Sequence, residues 1–265
     1  MSTTHSISTP STRSTTPTTT RPPAPNGAGP AAATTSSRIP EAIPYRGDDW
    51  AQSMAKAMAW PMIAMGFMAV VGGLVAGIIG GINFGDFFSP SGVPGDLGRA
   101  EVAVQLTGAV LFLGMALILS GITMTLVNII RHLRDSGRDV QVALGATPLQ
   151  RSKPWTGLLT PWVMMMGLMA PMAAFVVGII TAVTIGDVDS AALADPASAS
   201  TADLADIGFV RAASAWLPGL RLTGLAIILL SVVLALVTIQ QSIRFQGRRI
   251  AELAELAEAT PSTAT

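Results

Sequence analysis

Four stretches of this chain carry no charged residue and are each long enough to cross a bilayer. No Asp, Glu, Lys or Arg lies between Ala57 and Asn83, Val102 and Ile130, Pro154 and Gly186, or Leu222 and Ile243. Spanning a hydrocarbon core takes roughly 20 apolar residues. In lipid the backbone must satisfy its own hydrogen bonds, and a helix does so within one segment. The expected fold is therefore all-α and integral to the membrane, with helices over residues 61–82, 102–130, 161–185 and 218–243. Only 12% of the 265 residues are charged, against about 25% in soluble domains.

The Lys and Arg residues divide unevenly across these spans. Arg13, Arg21, Arg38, Arg46 and Lys56 precede the first, and Arg131, Arg134, Arg138, Arg151 and Lys153 separate the second from the third. Arg244, Arg248 and Arg249 follow the fourth. The other side keeps Arg99, Arg211 and Arg221 beside many aspartates. The positive-inside rule then places both termini in the cytoplasm, in a plasma membrane crossed several times. Arg outnumbers Lys 14 to 2, a bias that points to a GC-rich bacterial source. Trp50, Trp60, Trp155 and Trp162 fall at the proposed inner interface.

Residues 1–46 are rich in Ser, Thr and Pro and are expected to be a disordered tail. Asp48 or Asp49 caps a short interfacial helix whose face carries Trp50, Met54 and Met58. Pro61 opens the first crossing. Residues 47–143 then form one helical hairpin and 144–245 a second. Residues 246–265 extend the last helix as Ile243, Ile250, Leu253 and Ala257, close to a heptad pattern, and end in a tail.

Sliding the chain by 101 residues aligns the first and third spans. Ten of 22 positions from Met65 to Asp86 are identical, among them Gly66/Gly167, Gly77/Gly178 and Asp86/Asp187. The second and fourth spans share Leu106-Thr107-Gly108 and Leu222-Thr223-Gly224. The chain is thus expected to be two tandem hairpins, a parallel repeat. Small residues recur every fourth position, at Ala69, Gly73, Gly77 and Gly81 and at Ala170, Ala174, Gly178 and Ala182. Such stripes allow close helix contact in lipid, and the expected contact is between helices 1 and 3. A second copy of the chain is the alternative partner.

Pro171 interrupts the second stripe and frees the carbonyl of Gly167, a candidate hinge. Asp86, Asp187 and Arg221 form a candidate polar contact at the outer end, with Arg221 expected to reach toward the interface near Asp187 or Asp206. The two histidines, His5 and His132, lie outside the spans, so no haem or imidazole-copper site is expected. No catalytic residue, metal or cofactor is assigned. Met62, Met65 and Met68 answer Met165, Met166, Met169 and Met172, and packing is their expected role rather than Cu(I) binding. Zero net charge gives no case for nucleic acid. The expected partners are the bilayer and other membrane subunits. The expected function is a non-enzymatic structural or accessory subunit, the alternative a transporter or channel subunit.

Overall fold

Helix termini and close helix contacts set the frame. The computed structural model describes residues 37–45, 50–90, 92–152 and 154–259. Strand β1 (Ala42–Pro44) is followed by helix α1 (Trp50–Phe87), helix α2 (Pro94–Ala143) and strand β2 (Leu149–Arg151). Helix α3 (Trp155–Asp187), the short α4 (Ser190–Ala194), a 3-10 turn (Pro196–Ser198) and helix α5 (Thr201–Ala259) complete the chain. Among the described residues, α1, α2, α3 and α5 are long and apolar enough to cross a membrane. The protein is a multi-pass membrane protein by that measure.

Helices α1, α2 and α5 run past their charge-free stretches, whereas α3 matches its own in length. Pro94 takes the first position of α2, where its missing N–H costs nothing. Asp96 accepts from the N–H of Val93 at 3.3 Å. At the other end Gly145 adopts φ +72° and closes the helix, as a left-handed terminal residue does. The aspartates between α3 and α5 are also caps. Asp189 accepts from Ala191, Asp195 from Ala197, and Ser200 and Asp203 cap α5 reciprocally.

Two expectations about the first hairpin are corrected. Among the described residues no separate interfacial helix precedes the first span: α1 is continuous from Trp50 and carries Pro61 inside it. Asp48 and Asp49 lie outside the described residues, as does most of the expected disordered tail. Its last part is ordered, because residues 37–45 find polar partners. Ala42, Ile43 and Pro44 pair antiparallel with Arg151, Gln150 and Leu149. Ser37 Oγ and the Arg38 N–H both donate to Glu252.

The packing partners also differ from expectation. α1 lies along α2, α3 lies along α5, and α2 joins the two pairs by touching α3, α4 and α5. The stripe on α1 therefore meets α2, not α3. A Cβ on Gly73 would stand 3.1 Å from Leu111, and one on Gly77 3.2 Å from Thr107. The closest approach uses Gly66 and Gly114, each within 2.7 Å of the other's carbonyl once given a Cβ. Gly81 meets nothing within 4 Å. The reason is geometric: consecutive antiparallel helices joined by a short turn meet first, and glycine backbones let them close.

On α3 the stripe is buried at Ala174, Gly178 and Ala182, while Ala170 borders α5 at Gly224. The methionines do not converge on it. Met65, Met68, Met165, Met166, Met169 and Met172 are all exposed on the apolar surface. Polar side chains cross the core in pairs instead, Thr123 with Ser231 and Thr156 with Thr238, while Gln105 meets Ser214 on the exposed side of the bundle. Past the last span, α5 buries Phe245, Arg249 and Leu253, four residues apart, while Ile243 and Ile250 stay exposed.

Candidate functional site

Among the described residues, Arg221 is the one charged side chain enclosed within the apolar bundle rather than at its polar ends. It lies one turn past Pro218 in α5 and is only 8% exposed. It does not reach outward as expected. Its guanidinium is held between α2, α3 and α5, because glycines on two neighbouring helices leave room for it. A Cβ on Gly108 would stand 2.5 Å from Nη1, and one on Gly178 3.4 Å from Nη2. The ring of Phe112, one turn beyond Gly108, faces the guanidinium carbon at 5.7 Å. That distance is within the range of a cation–π contact, which is stronger where water is excluded.

The site lies below the polar ends of the helices. Gly108 is seven residues past Glu101 in α2, and Gly178 nine before Asp187 in α3, about 10 and 13 Å along the axes. Asp86 and Asp187 are both exposed. The expected grouping of Asp86, Asp187 and Arg221 is not formed, since the arginine points into the bundle. Among the described residues, Nε and Nη2 of Arg221 have no hydrogen-bond partner. A buried guanidinium without an anion is costly in a low-dielectric interior.

Pro171 belongs to the same neighbourhood. α3 runs through it without interruption. Its ring fills the notch at Gly224, which stands one turn from Arg221 in α5. Gly167, the residue whose carbonyl Pro171 frees, packs against Ile228, where an added Cβ would lie 2.7 Å from Cγ1. The two glycines of the shared Leu-Thr-Gly motif therefore do related things. Gly108 receives the cation and Gly224 receives the proline.

Comparison with protein families, characterised proteins and solved structures finds no match. The chemistry is thus read from the residues alone. Among the described residues no three His, Cys, Asp or Glu side chains group to hold a metal. What the site offers is a fixed positive charge with two unengaged nitrogens, Nε and Nη2, among the described residues, and an aromatic wall. A guanidinium recognises carboxylate, phosphate or halide, and its planar fork suits an oxyanion best. Phe112 was not singled out from the sequence. A shared Leu-Thr-Gly motif marked Gly108, but only the packing of α5 shows what it admits.

A second buried arginine lies at the Arg-rich end. Arg249 is 1% exposed and donates to Glu252 at 2.7 Å. Glu252 also accepts from Ser37 and Arg38, so this pair ties the chain before β1 to the end of α5. Nearby, Arg151 joins Glu41 at 2.7 Å and Gln241 at 3.0 Å. Gln141 holds β2 by bonding both backbone groups of Leu149. Here the arginine has its carboxylate, and the role is to close the fold.

Proposed function

We propose that the protein is a transporter or channel subunit that handles a small anionic solute, with Arg221 as its intramembrane contact. The observation that carries this is a guanidinium enclosed in the apolar bundle whose Nε and Nη2 have no hydrogen-bond partner among the described residues. Intramembrane charges are expensive and commonly mark a solute or ion path. Pro171, whose ring sits at Gly224 one turn from Arg221, adds support: it removes one N–H from the continuous α3, and freed carbonyls line sites in membrane helices where backbone meets a ligand.

The membrane placement extends this reading. Both termini are cytoplasmic, on the distribution of Lys and Arg, in the plasma membrane of a bacterium. The two hairpins are tandem copies. The aligned glycines Gly66 and Gly167 support this, since each receives the second helix of its own hairpin.

Full-length protein in proteoliposomes loaded with chloride, acetate or inorganic phosphate tests the proposal. Protein-dependent efflux of at least one anion is expected, lost in Arg221→Met and retained in part in Arg221→Lys. Efflux of none, or equal efflux from Arg221→Met, rejects it.

A second reading, a non-enzymatic structural or accessory subunit, is favoured by α1. This helix packs along α2 and is the least buried of the four. Gly81 and Gly85, one turn apart, have open space beside them. A second membrane chain docked there would co-purify in fixed ratio and be released by Gly81→Leu. Release would leave anion efflux intact if the two readings are independent.

A further inference from the structure

A cavity of about 260 Å³ lies at the Arg-rich end, bounded by α1, α2, α3 and α5. Its floor is enclosed. Ala55, Thr123, Thr160, Met164 and Thr238 line it and are all buried. Its mouth is not. Leu158, Trp162 and Met165 line the same space and are more than half exposed on the apolar flank of α3. The cavity therefore opens sideways, onto the surface that faces the bilayer.

The floor makes no demand for hydrogen bonds. Thr123 donates to Leu119, Thr160 to Thr156 and Thr238 to Leu234, each back to its own helix. An alkyl chain entering this space meets no unpaired donor there. Among the described residues the cation lining the cavity is Arg134, which also borders the adjoining crevice between α2, β2 and α5. Arg134 follows Ile130 by one turn, where the charge-free part of α2 ends. The acidic residues near it on α2 are engaged elsewhere. Asp135 accepts from Tyr45 and pairs with Arg131, and Asp139 pairs with Arg138.

We infer that this cavity binds one anionic phospholipid. The phosphate sits on Arg134 at the polar rim, and an acyl chain passes Trp162 and Met165 onto the buried floor. Charge complementarity and the lateral opening argue for a lipid. A free phosphate would have a single charged partner and a wall of methyl and aromatic groups. The site is separate from Arg221, which lies toward the acidic end, and does not depend on the function assigned to it.

The test is native mass spectrometry of the full chain in mild detergent, titrated with phosphatidylglycerol or with phosphatidylcholine of the same chains. One phosphatidylglycerol per chain is expected to survive in preference to phosphatidylcholine. Arg134→Gln should lower that retention about fivefold while leaving phosphatidylcholine unchanged, and Arg134→Lys should keep it. Val127→Trp, which fills the cavity, should abolish retention of the specific lipid. Leu158→Trp narrows the exposed mouth without disturbing the floor and should weaken it. Equal retention by wild type and Arg134→Gln would overturn the inference, as would retention unchanged in both filling variants. Displacement of the lipid by inorganic phosphate at equal concentration would assign the site to a free ion instead.

Discussion

The guanidinium of Arg221 faces the ring of Phe112 at 5.7 Å, and it does so from a different helix, inside the apolar bundle. Phe112 covers one side of the cation, while Gly108 and Gly178 keep two other helices from closing on it. The ring softens the cost of the buried charge without neutralising it. The position thus holds a buried charge that is only partly compensated.

Replacing the cation should therefore stabilise the anion-free protein. Removing a buried charge in favour of an apolar side chain of similar volume is worth about 1–4 kcal/mol where the charge is poorly compensated. Arg221→Met is expected to unfold at higher temperature than wild type in detergent, and Phe112→Leu at lower temperature, with a stability loss of about 1 kcal/mol or less. A less stable Arg221→Met would mean that the guanidinium has partners in the folded state after all.

The contact between Gly66 and Gly114 predicts a contrast between glycines. Gly114→Ala places a methyl 2.7 Å from the Gly66 carbonyl, so α1 must move away from α2. The expected loss is about 1–3 kcal/mol, as for overpacking in a close-packed core. Gly81→Ala meets open space and should be neutral. Thermal unfolding of the two variants side by side checks this; equal destabilisation would remove the role of backbone approach.

The absence of cysteine allows helix neighbours to be read by cross-linking. Gly73→Cys with Leu111→Cys brings two Cβ positions within disulfide reach. Oxidation in membranes should join them in one chain. Gly73→Cys with Ala174→Cys should not. The opposite pattern would restore the contact between α1 and α3 that the two stripes suggest.

At the Arg-rich end, Glu252 is the only carboxylate on the buried Arg249 among the described contacts. Glu252→Ala leaves that charge unpaired, a change that typically costs about 3–5 kcal/mol. It also frees Ser37 and Arg38. Hydrogen exchange should rise at the Arg38 amide and spread to β1, while amides in the core of α2 stay protected. Unchanged exchange at Arg38 would show that β1 is held by β2 alone.

The buried pair Thr123 and Ser231 offers a smaller test. Their hydroxyls approach to 3.2 Å between α2 and α5. Ser231→Ala should lower stability by about 0.6 kcal/mol, the average for such bonds in membrane helices. A loss several times larger would mean that the hydroxyl also holds the two helices in register.

The sequence by itself determined the four crossings. A run of 22 to 33 residues without charge has one stable home, because lipid leaves the backbone no other way to satisfy its hydrogen bonds. It also marked which residues are small, and where a proline breaks their line. Partner choice was decided only by tertiary structure. Gly73 looks the same whether it meets α2 or α3, since the lipid supplies no hydrophobic drive to prefer one apolar neighbour. Short connections and the shapes of the facing helices settled it in favour of α2. The same holds for Arg221. Its place near the start of a span is visible along the chain, and by position alone it reaches outward. It turns inward because Gly108, from another helix, leaves the space, and that fact exists only once the helices are packed.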